Sequence, residues 1–553
     1  MDYLKEEHKV TGARRQKRRV LYCGISAFVV ASFLGIGGNV KDIAKIQIGP
    51  TILSCAVYFA VLFVFLEKTV FAARKKKPML LQRGKYGARK CLLYAAALLF
   101  MWLPVFLAYY PGIFAYDVHV QLWGETVTSH HPVVHTAFLN GIYEIGKAMS
   151  MSDTRICALM AVIQMIICSI IYALSIGVVC RKRGNRASVW LLLFYGLFPA
   201  CSFSVVSVTK DAIFAALFVL MVSLLYDLIS AKNPRKSTYI GYGVVVALFL
   251  LFRNNAIYIV AAWTALLAIV TVIKRLQYKK LILVNAIAVV TYVVINSLLI
   301  HATGAYELQE QAAFSVPLQQ MLGAAALHEE EIPAKGTGGK IFNFFERDQL
   351  GNEIKFNPIN ADIAKNSIGR QLTNENKSEF ISSYIKTGLK YPGDYIRIFL
   401  RLTLSAWYPF SYDFAYFYGE NNLFAETASP RHAELMPNIK QNSKLPKLKQ
   451  FLDASWKELG YRDNVIVNVI MAPASYTIAL VIMLMYALYK KRKHILVISL
   501  LILLCLLCIL LSPGILIRYM WPIMFAVPLL GAFVYRPCLN KKALSCKIRK
   551  NKL

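Results

Sequence analysis

Long apolar runs separated by short basic connections dominate the chain. They predict membrane-crossing helices near 20–40, 50–72, 91–110, 154–180, 188–205, 212–231, 239–253, 256–273, 281–301, 465–489, 495–512 and 517–535. Most of these runs reach the roughly 18–20 residues that a helix needs to cross a hydrocarbon core about 30 Å thick. The run at 239–253 is short, and "RNN" (253–255) separates it from the next, so a tilted or re-entrant segment is an alternative there. Two stretches break the rhythm. One is the polar connection 111–153, and the other is the block 302–462, which has charges of both signs and helical stretches such as "NKSEFISSYIKTGL".

Charge then orients this pattern. Of 553 residues 57% are hydrophobic, yet the formal net charge is +33. Lysine and arginine collect in "ARRQKRR" (13–19), "RKKK" (74–77), "RKRGNR" (181–186), "KNPRK" (232–236), "KRLQYKK" (274–280), "KKRK" (490–493) and "KKALSCKIRK" (541–550). Twelve crossings with both termini inside put every cluster on the cytoplasmic side, as the positive-inside rule requires. The basic excess is thus topological, with help from anionic lipid headgroups, and no soluble basic face suggests a nucleic-acid partner. The first apolar run follows a basic segment but lacks a cleavage site, so it is expected to be a retained helix. The absence of an internal repeat weighs against transporter folds built from duplicated halves. Cysteine adds little. The block 302–462 contains none of the 11, and the Cys505–Cys508 pair lies in an apolar helix as small core residues.

With this topology four segments face outward: 111–153, "SVTKD" (207–211), "RNN" and the block 302–462. A short turn before "RYMWP" (518–522) joins them. Within 111–153, residues 133–149 read as an amphipathic interfacial helix. Asp117 follows a helix stop at Pro111 and Gly112, where a partly desolvated carboxylate can serve as a base. The plainer alternative is a helix-capping carboxylate. Lys210 and Asp211 add a charged pair that is costly against lipid, although Thr209 or Asp211 also suits a helix cap. Arg253 and Arg518 bring two cations to the same level. Arginine and lysine suit a phosphate, by bidentate hydrogen bonds and by point charge. Trp407 and Tyr408 suit sugar stacking or an interfacial belt equally. His130, His131 and His135 with Asp117 include possible metal donors, but "HHxxxH" is not a recognised ligand spacing. The residues point to no definite cofactor, and a divalent metal stays an open alternative.

In their order along the chain, "PGIFAYDVHVQ" (111–121), "SHHPVVHT" (129–136), "SVTKDAIF" (207–214), "FRNNAIY" (252–258), "KYPGDYIRIFLRLTLSAWYP" (390–409) and "RYMWP" resemble an uncharacterised family of multi-pass proteins found mainly in Gram-positive bacteria. The resemblance covers most of residues 91–535. Around these motifs the chain is similar to the C-type (GT-C) glycosyltransferases, membrane enzymes that use polyprenyl-phosphate-linked sugars. Their module has a first helix, a long outer loop with an acid, and a short second outer loop. Here these would be 91–110, 111–153 with Asp117, and 207–211. Neither loop carries a DxD-type pair, which argues against metal dependence.

The expectation is an all-α polytopic membrane protein, a GT-C-like bundle of about 12 transmembrane helices with a mostly helical extracytoplasmic domain. Residues 1–90 would hold the cytoplasmic N-terminus and two added helices, and 91–301 the catalytic membrane module. A cap with an interfacial helix would span 302–462, and 463–553 the last helices and a basic tail. The expected function is inverting transfer of a sugar from a polyprenyl-phosphate donor to a cell-envelope glycan or glycolipid, at the outer leaflet of a bacterial plasma membrane. Asp117 would be the general base. Lys210, Arg253 and Arg518 would bind phosphate, with Asp211, Asn254, Tyr519, His130, His131, Trp407 and Tyr408 also binding substrate. A transporter or flippase of lipid-linked glycans is the alternative, or a non-catalytic envelope assembly protein.

Overall fold

The computed structural model describes residues 2–40, 47–72, 84–114, 116–123, 129, 131–274, 278–305, 314–328, 356–362, 364, 372, 375–411, 442–456 and 464–534. These form helices α1 (Asp2–Asn39), α2 (Ile48–Lys68), α3 (Ala88–Ala108), α4 (Tyr116–Trp123), α5 (Val133–Ala148), α6 (Asp153–Arg183), α7 (Asn185–Leu197), α8 (Pro199–Val206), α9 (Lys210–Ser230), α10 (Lys236–Leu251), α11 (Ala256–Lys274), α12 (Lys279–Thr303) and α13 (Ser315–Leu327). They continue with α14 (Lys377–Lys390), α15 (Pro392–Leu402), α16 (Pro446–Trp456), α17 (Val465–Met471), α18 (Pro473–Tyr489), α19 (Lys493–Leu510) and α20 (Ile517–Val534). Among the described residues, nine helices are long and apolar enough to cross a membrane, or eleven if each bent pair is one span. The chain is a multi-pass membrane protein.

Two expected single spans are broken. α7 and α8 meet at 59°, and α17 and α18 at 64°. In both cases a proline opens the second helix, at Pro199 and Pro473. Proline has no N–H to give to the preceding turn and disfavours helical backbone in the residue before it. That is where Phe198 and Ala472 turn extended. The short run before "RNN" is α10, a helix of 16 residues.

Helices α9 and α20 form the centre of the bundle and are buried along most of their length. α9 packs against α6, α10, α19 and α20. The α1–α2 hairpin lies at the edge, and α2 exposes Ile52, Leu53, Val57, Val61 and Phe65 as a lipid-facing helix would. Parts of the 302–462 block dock on one end of the bundle. The amides of Asn442 and Lys444 bond to the carbonyls of Tyr110 and Leu107 at the end of α3, and Ala361 N–H bonds to Pro513 O in the turn before α20. Inside that block Leu318, Met321 and Leu322 of α13 share a small core with Phe380 and Tyr395.

Candidate functional site

Two short strands align the key loops. β1 (Ile113–Phe114) leaves α3 and pairs in parallel with β2 (Ser207–Val208), which leaves α8. Asp117 follows three residues after β1, and Lys210 and Asp211 follow directly after β2, so the pairing sets both acids side by side. Gly112 makes the approach possible: its φ is +132°, and a Cβ there would meet the Ala161 side chain at 3.0 Å. Gln164 of α6 holds the other strand. Its Nε2 donates to Val205 O (3.0 Å) and Ser207 O (2.6 Å), and its Oε1 accepts from Thr209 N–H (3.3 Å). Thr209 caps α9 by accepting the Asp211 N–H, and its hydroxyl lies 3.3 Å from Asp211 Oδ2. The helix N-terminus further favours the Asp211 carboxylate.

Five charged side chains converge here. Lys210 Nζ donates to Asp117 Oδ2 at 2.8 Å, and Arg518 Nη1 lies 3.3 Å from that same oxygen, so Asp117 Oδ1 stands outside both pairs. Arg253 Nη1 donates to Asp211 Oδ1 at 2.5 Å, while Arg518 Nε lies 3.7 Å from Asp211 Oδ2. Arg518 therefore bridges the two acids. Its Nε and Nη1 are buried and make no full hydrogen bond, only these longer ion-pair approaches to Asp211 and Asp117. Asp211 is fully buried, whereas the Asp117 side chain keeps 16% of its surface. Tyr519 forms a platform: the Arg253 guanidinium lies 4.4 Å from its ring centre. Burial works against ionisation of Asp117, but Arg518 and Lys210 outweigh it and hold the carboxyl well below its usual range.

The histidines divide into two roles. Lys210 Nζ lies 3.0 Å from His131 Nδ1, and an ammonium has only donors, so in this contact that nitrogen is the acceptor. Among the described residues, Lys210, Arg253 and Arg518 face Asp117 and Asp211, three cations to two carboxylates. Gln121 Nε2 donates to Thr136 Oγ1 (2.8 Å), which turns its Oε1 to His135 Nδ1 at 3.1 Å. This fixes a proton on Nδ1 of His135 and leaves Nε2 bare and buried without a hydrogen-bond partner. Burial pushes His135 down to about 3, with Lys210 adding to the effect, so it stays neutral. Asn254 Nδ2 donates to Ser129 O (2.8 Å) and ties the Arg253 turn to the histidine loop.

The fold gathers Asp117, His131, Lys210, Asp211, Arg253, Asn254, Arg518 and Tyr519 in one place. His130 lies outside the described residues. Trp407 and Tyr408 have their partners elsewhere: Trp407 bonds to Thr403 and packs on Phe33, and Tyr408 lies against Gly37 of α1. The two aromatic side chains thus pack on α1, apart from the contacts described for the charged cluster. His131 Nδ1 and His135 Nδ1 are committed to Lys210 and Gln121, and among the described residues no three acidic, histidine or cysteine side chains form a metal-sized cluster. No step is assigned to a metal. Gln121 and Gln164 were not singled out from sequence. Gln164 had a usable signal, because an amide inside the apolar run "ALMAVIQMIICSII" is costly unless it has fixed partners.

Comparison with known proteins places one boundary on this picture. No curated protein and no solved structure matches the chain. A family of unknown function, DUF6020, matches residues 124–536, a stretch that contains Lys210, Asp211, Arg253 and Arg518 and begins shortly after Asp117. Since the match spans well over half of its length, the chain belongs to the DUF6020 family.

Proposed function

We propose that the protein is an inverting glycosyltransferase that takes a sugar from a polyprenyl-phosphate donor and gives it to a cell-envelope glycan or glycolipid. The observation that carries this reading is the pair of cations on one oxygen of Asp117, in a cluster where, among the described residues, three cations face two carboxylates. Lys210 and Arg518 hold the donor phosphate in this scheme, with Arg253 and Asp211 keeping Arg518 in place. Asp117 Oδ1 takes the proton from an acceptor hydroxyl while that oxygen bonds to the anomeric carbon. The bond from this carbon to the phosphate oxygen breaks, its electron pair leaves with the phosphate, and a phosphodiester monoanion becomes a monoester dianion. The cations stabilise the added charge, and attack opposite the leaving group inverts the configuration.

Twelve crossings, with each bent pair as one span and α10 as a short one, put the basic clusters on the cytoplasmic side of a bacterial plasma membrane. Both termini are then inside and the site faces outward, where lipid-linked sugars replace nucleotide sugars as donors. The 302–462 block becomes an extracytoplasmic cap over the site. A flippase or transporter also needs phosphate-binding cations. It would, however, carry charged groups along its path through the bilayer, and among the described residues the buried charged side chains are Asp211, Arg518 and the cap residue Asp394. The test uses the purified protein in sealed liposomes with radiolabelled polyprenyl-phosphate sugars and an envelope-extract acceptor. Label in a new glycoside supports transfer. Intact donor that crosses the bilayer without a new glycoside supports transport and refutes the enzyme.

A further inference from the structure

We infer that Asp117 is an internal competitor for the ligand of this site: a monoanionic phosphodiester binds Lys210 and Arg518 by displacing the Asp117 carboxylate, so binding the ligand and releasing the base are one event. The inference rests on the reading of the cluster as a phosphate site and adds an order of events to it.

Geometry separates the two acids. Both cations on the Asp117 side approach a single oxygen, at 2.8 Å and 3.3 Å, so an anion that binds one of them meets the other as well. Arg518 holds the two acids only at ion-pair distance, with Nε and Nη1 short of a hydrogen bond, so an anion can bind it more closely than the carboxylates do. Asp211 is locked by comparison. It is fully buried, capped through Thr209 and bonded to Arg253, whose guanidinium is stacked on Tyr519. Asp117 is the more exposed of the two, on a helix of only eight residues. Charge selects the ligand class: among the described residues three cations, Lys210, Arg253 and Arg518, face two carboxylates, and one monoanionic phosphodiester balances them.

The consequence for chemistry follows from the resting state. While Lys210 and Arg518 neutralise it, Asp117 is a poor base. Once the phosphate takes those cations, the carboxylate regains its affinity for a proton, and it does so only with donor in place. Donor therefore binds before acceptor, and the site does not spend its base on water when empty.

The test measures binding of farnesyl methyl phosphate, a phosphodiester, to the full-length detergent-solubilised protein by calorimetry. Dimethyl phosphate and dihexanoyl phosphatidylglycerol serve as probes for a free phosphate and for a bulk-lipid headgroup. Removing an internal competitor strengthens ligand binding, so Asp117→Asn is expected to bind farnesyl methyl phosphate on the order of tenfold more tightly than wild type. Asp117→Ser should do the same, and Arg518→Gln should lose binding. Preference for the farnesyl compound over both other probes identifies an isoprenoid phosphate as the source. Equal or weaker binding by both Asp117 variants, or no binding of any probe by any form, overturns the inference. Tighter binding by the Asp117 variants without sugar transfer by wild type would keep the inference and remove the glycosyltransferase reading. Transfer by wild type without tighter binding would do the reverse.

Discussion

Asparagine at position 211 keeps the shape of the aspartate and removes its charge, which isolates what the buried carboxylate does. In the structure it compensates Arg253 at 2.5 Å and Arg518 at 3.7 Å in a site from which the acid is fully excluded from solvent. Coulomb attraction at those distances amounts to roughly 7 and 4 kcal/mol for an effective dielectric of about 20. The desolvation of all three ions offsets much of this. Removing one partner from a buried pair is nonetheless costly, about 3–5 kcal/mol, because the remaining charge stays buried and unpaired. Asp227→Asn is the control. That acid pairs with Lys182 and Arg181 at 2.7 Å and 3.7 Å, but the lysine and arginine are 24% and 45% exposed, so the loss is expected to be about 1 kcal/mol or less. Thermal unfolding of a polytopic protein is irreversible, so the readout is a rank order of midpoints at one heating rate. Fluorescence-detected size exclusion after heating should place Asp211→Asn far below wild type and Asp227→Asn close to it. Adding Arg253→Gln to Asp211→Asn should cost less than the two single changes together, since the second change removes the uncompensated charge. Asp211→Asn with a midpoint no lower than Asp227→Asn, or strict additivity in the double variant, would refute the reasoning.

The remaining expectations concern acid and the supporting amides. Because the folded-state affinity of Asp117 for a proton is depressed, its ion pairs contribute fully above the ordinary carboxylate range and are lost as pH falls through its lowered value. The stability difference between wild type and Asp117→Asn should thus be constant from about pH 8 to pH 5 and shrink only in stronger acid. His135 acts in a separate window. It stays neutral when folded down to about 3 but takes up a proton when unfolded below about 6.5, so wild type should lose stability across that interval and His135→Gln should lose less, by thermal midpoints measured against pH. Gln164→Leu strands Val205 O, Ser207 O and Thr209 N–H in a buried region. At roughly 1–3 kcal/mol per stranded group the thermal midpoint should fall clearly, with binding of farnesyl methyl phosphate weakened as β2 loosens. An unchanged midpoint would exclude the clamp.

Much of this arrangement was legible in the sequence, for a specific physical reason. Charged side chains beside apolar runs are expensive, so Lys210, Asp211, Arg253 and Arg518 stand out without any structure. Their common level followed from the lengths of the helices between them. What the sequence did not contain was pairing. Nothing in "PGIFAYD" or "SVTKD" announces a two-residue parallel strand pair, because its register depends on where α3 and α8 end. The breaks at Pro199 and Pro473 were readable from proline chemistry but were smoothed over by the continuous apolar runs around them. Trp407 and Tyr408 are ambiguous in the sequence because an aromatic cluster near a membrane end serves sugar stacking and helix packing with the same residues. Gln121 does not stand out in the sequence, and His135 stands out there only as a metal donor, because the link between them is a hydrogen bond across 14 positions that fixes a tautomer.

The measurement that bears most directly on the central claim is turnover of a polyprenyl-phosphate sugar by the purified protein, with wild type and Asp117→Asn compared in the same preparation. The account predicts a glycoside of inverted anomeric configuration from wild type, and none from Asp117→Asn although that variant binds farnesyl methyl phosphate. Wild-type rates from Asp117→Asn, or a product of retained configuration, would contradict it.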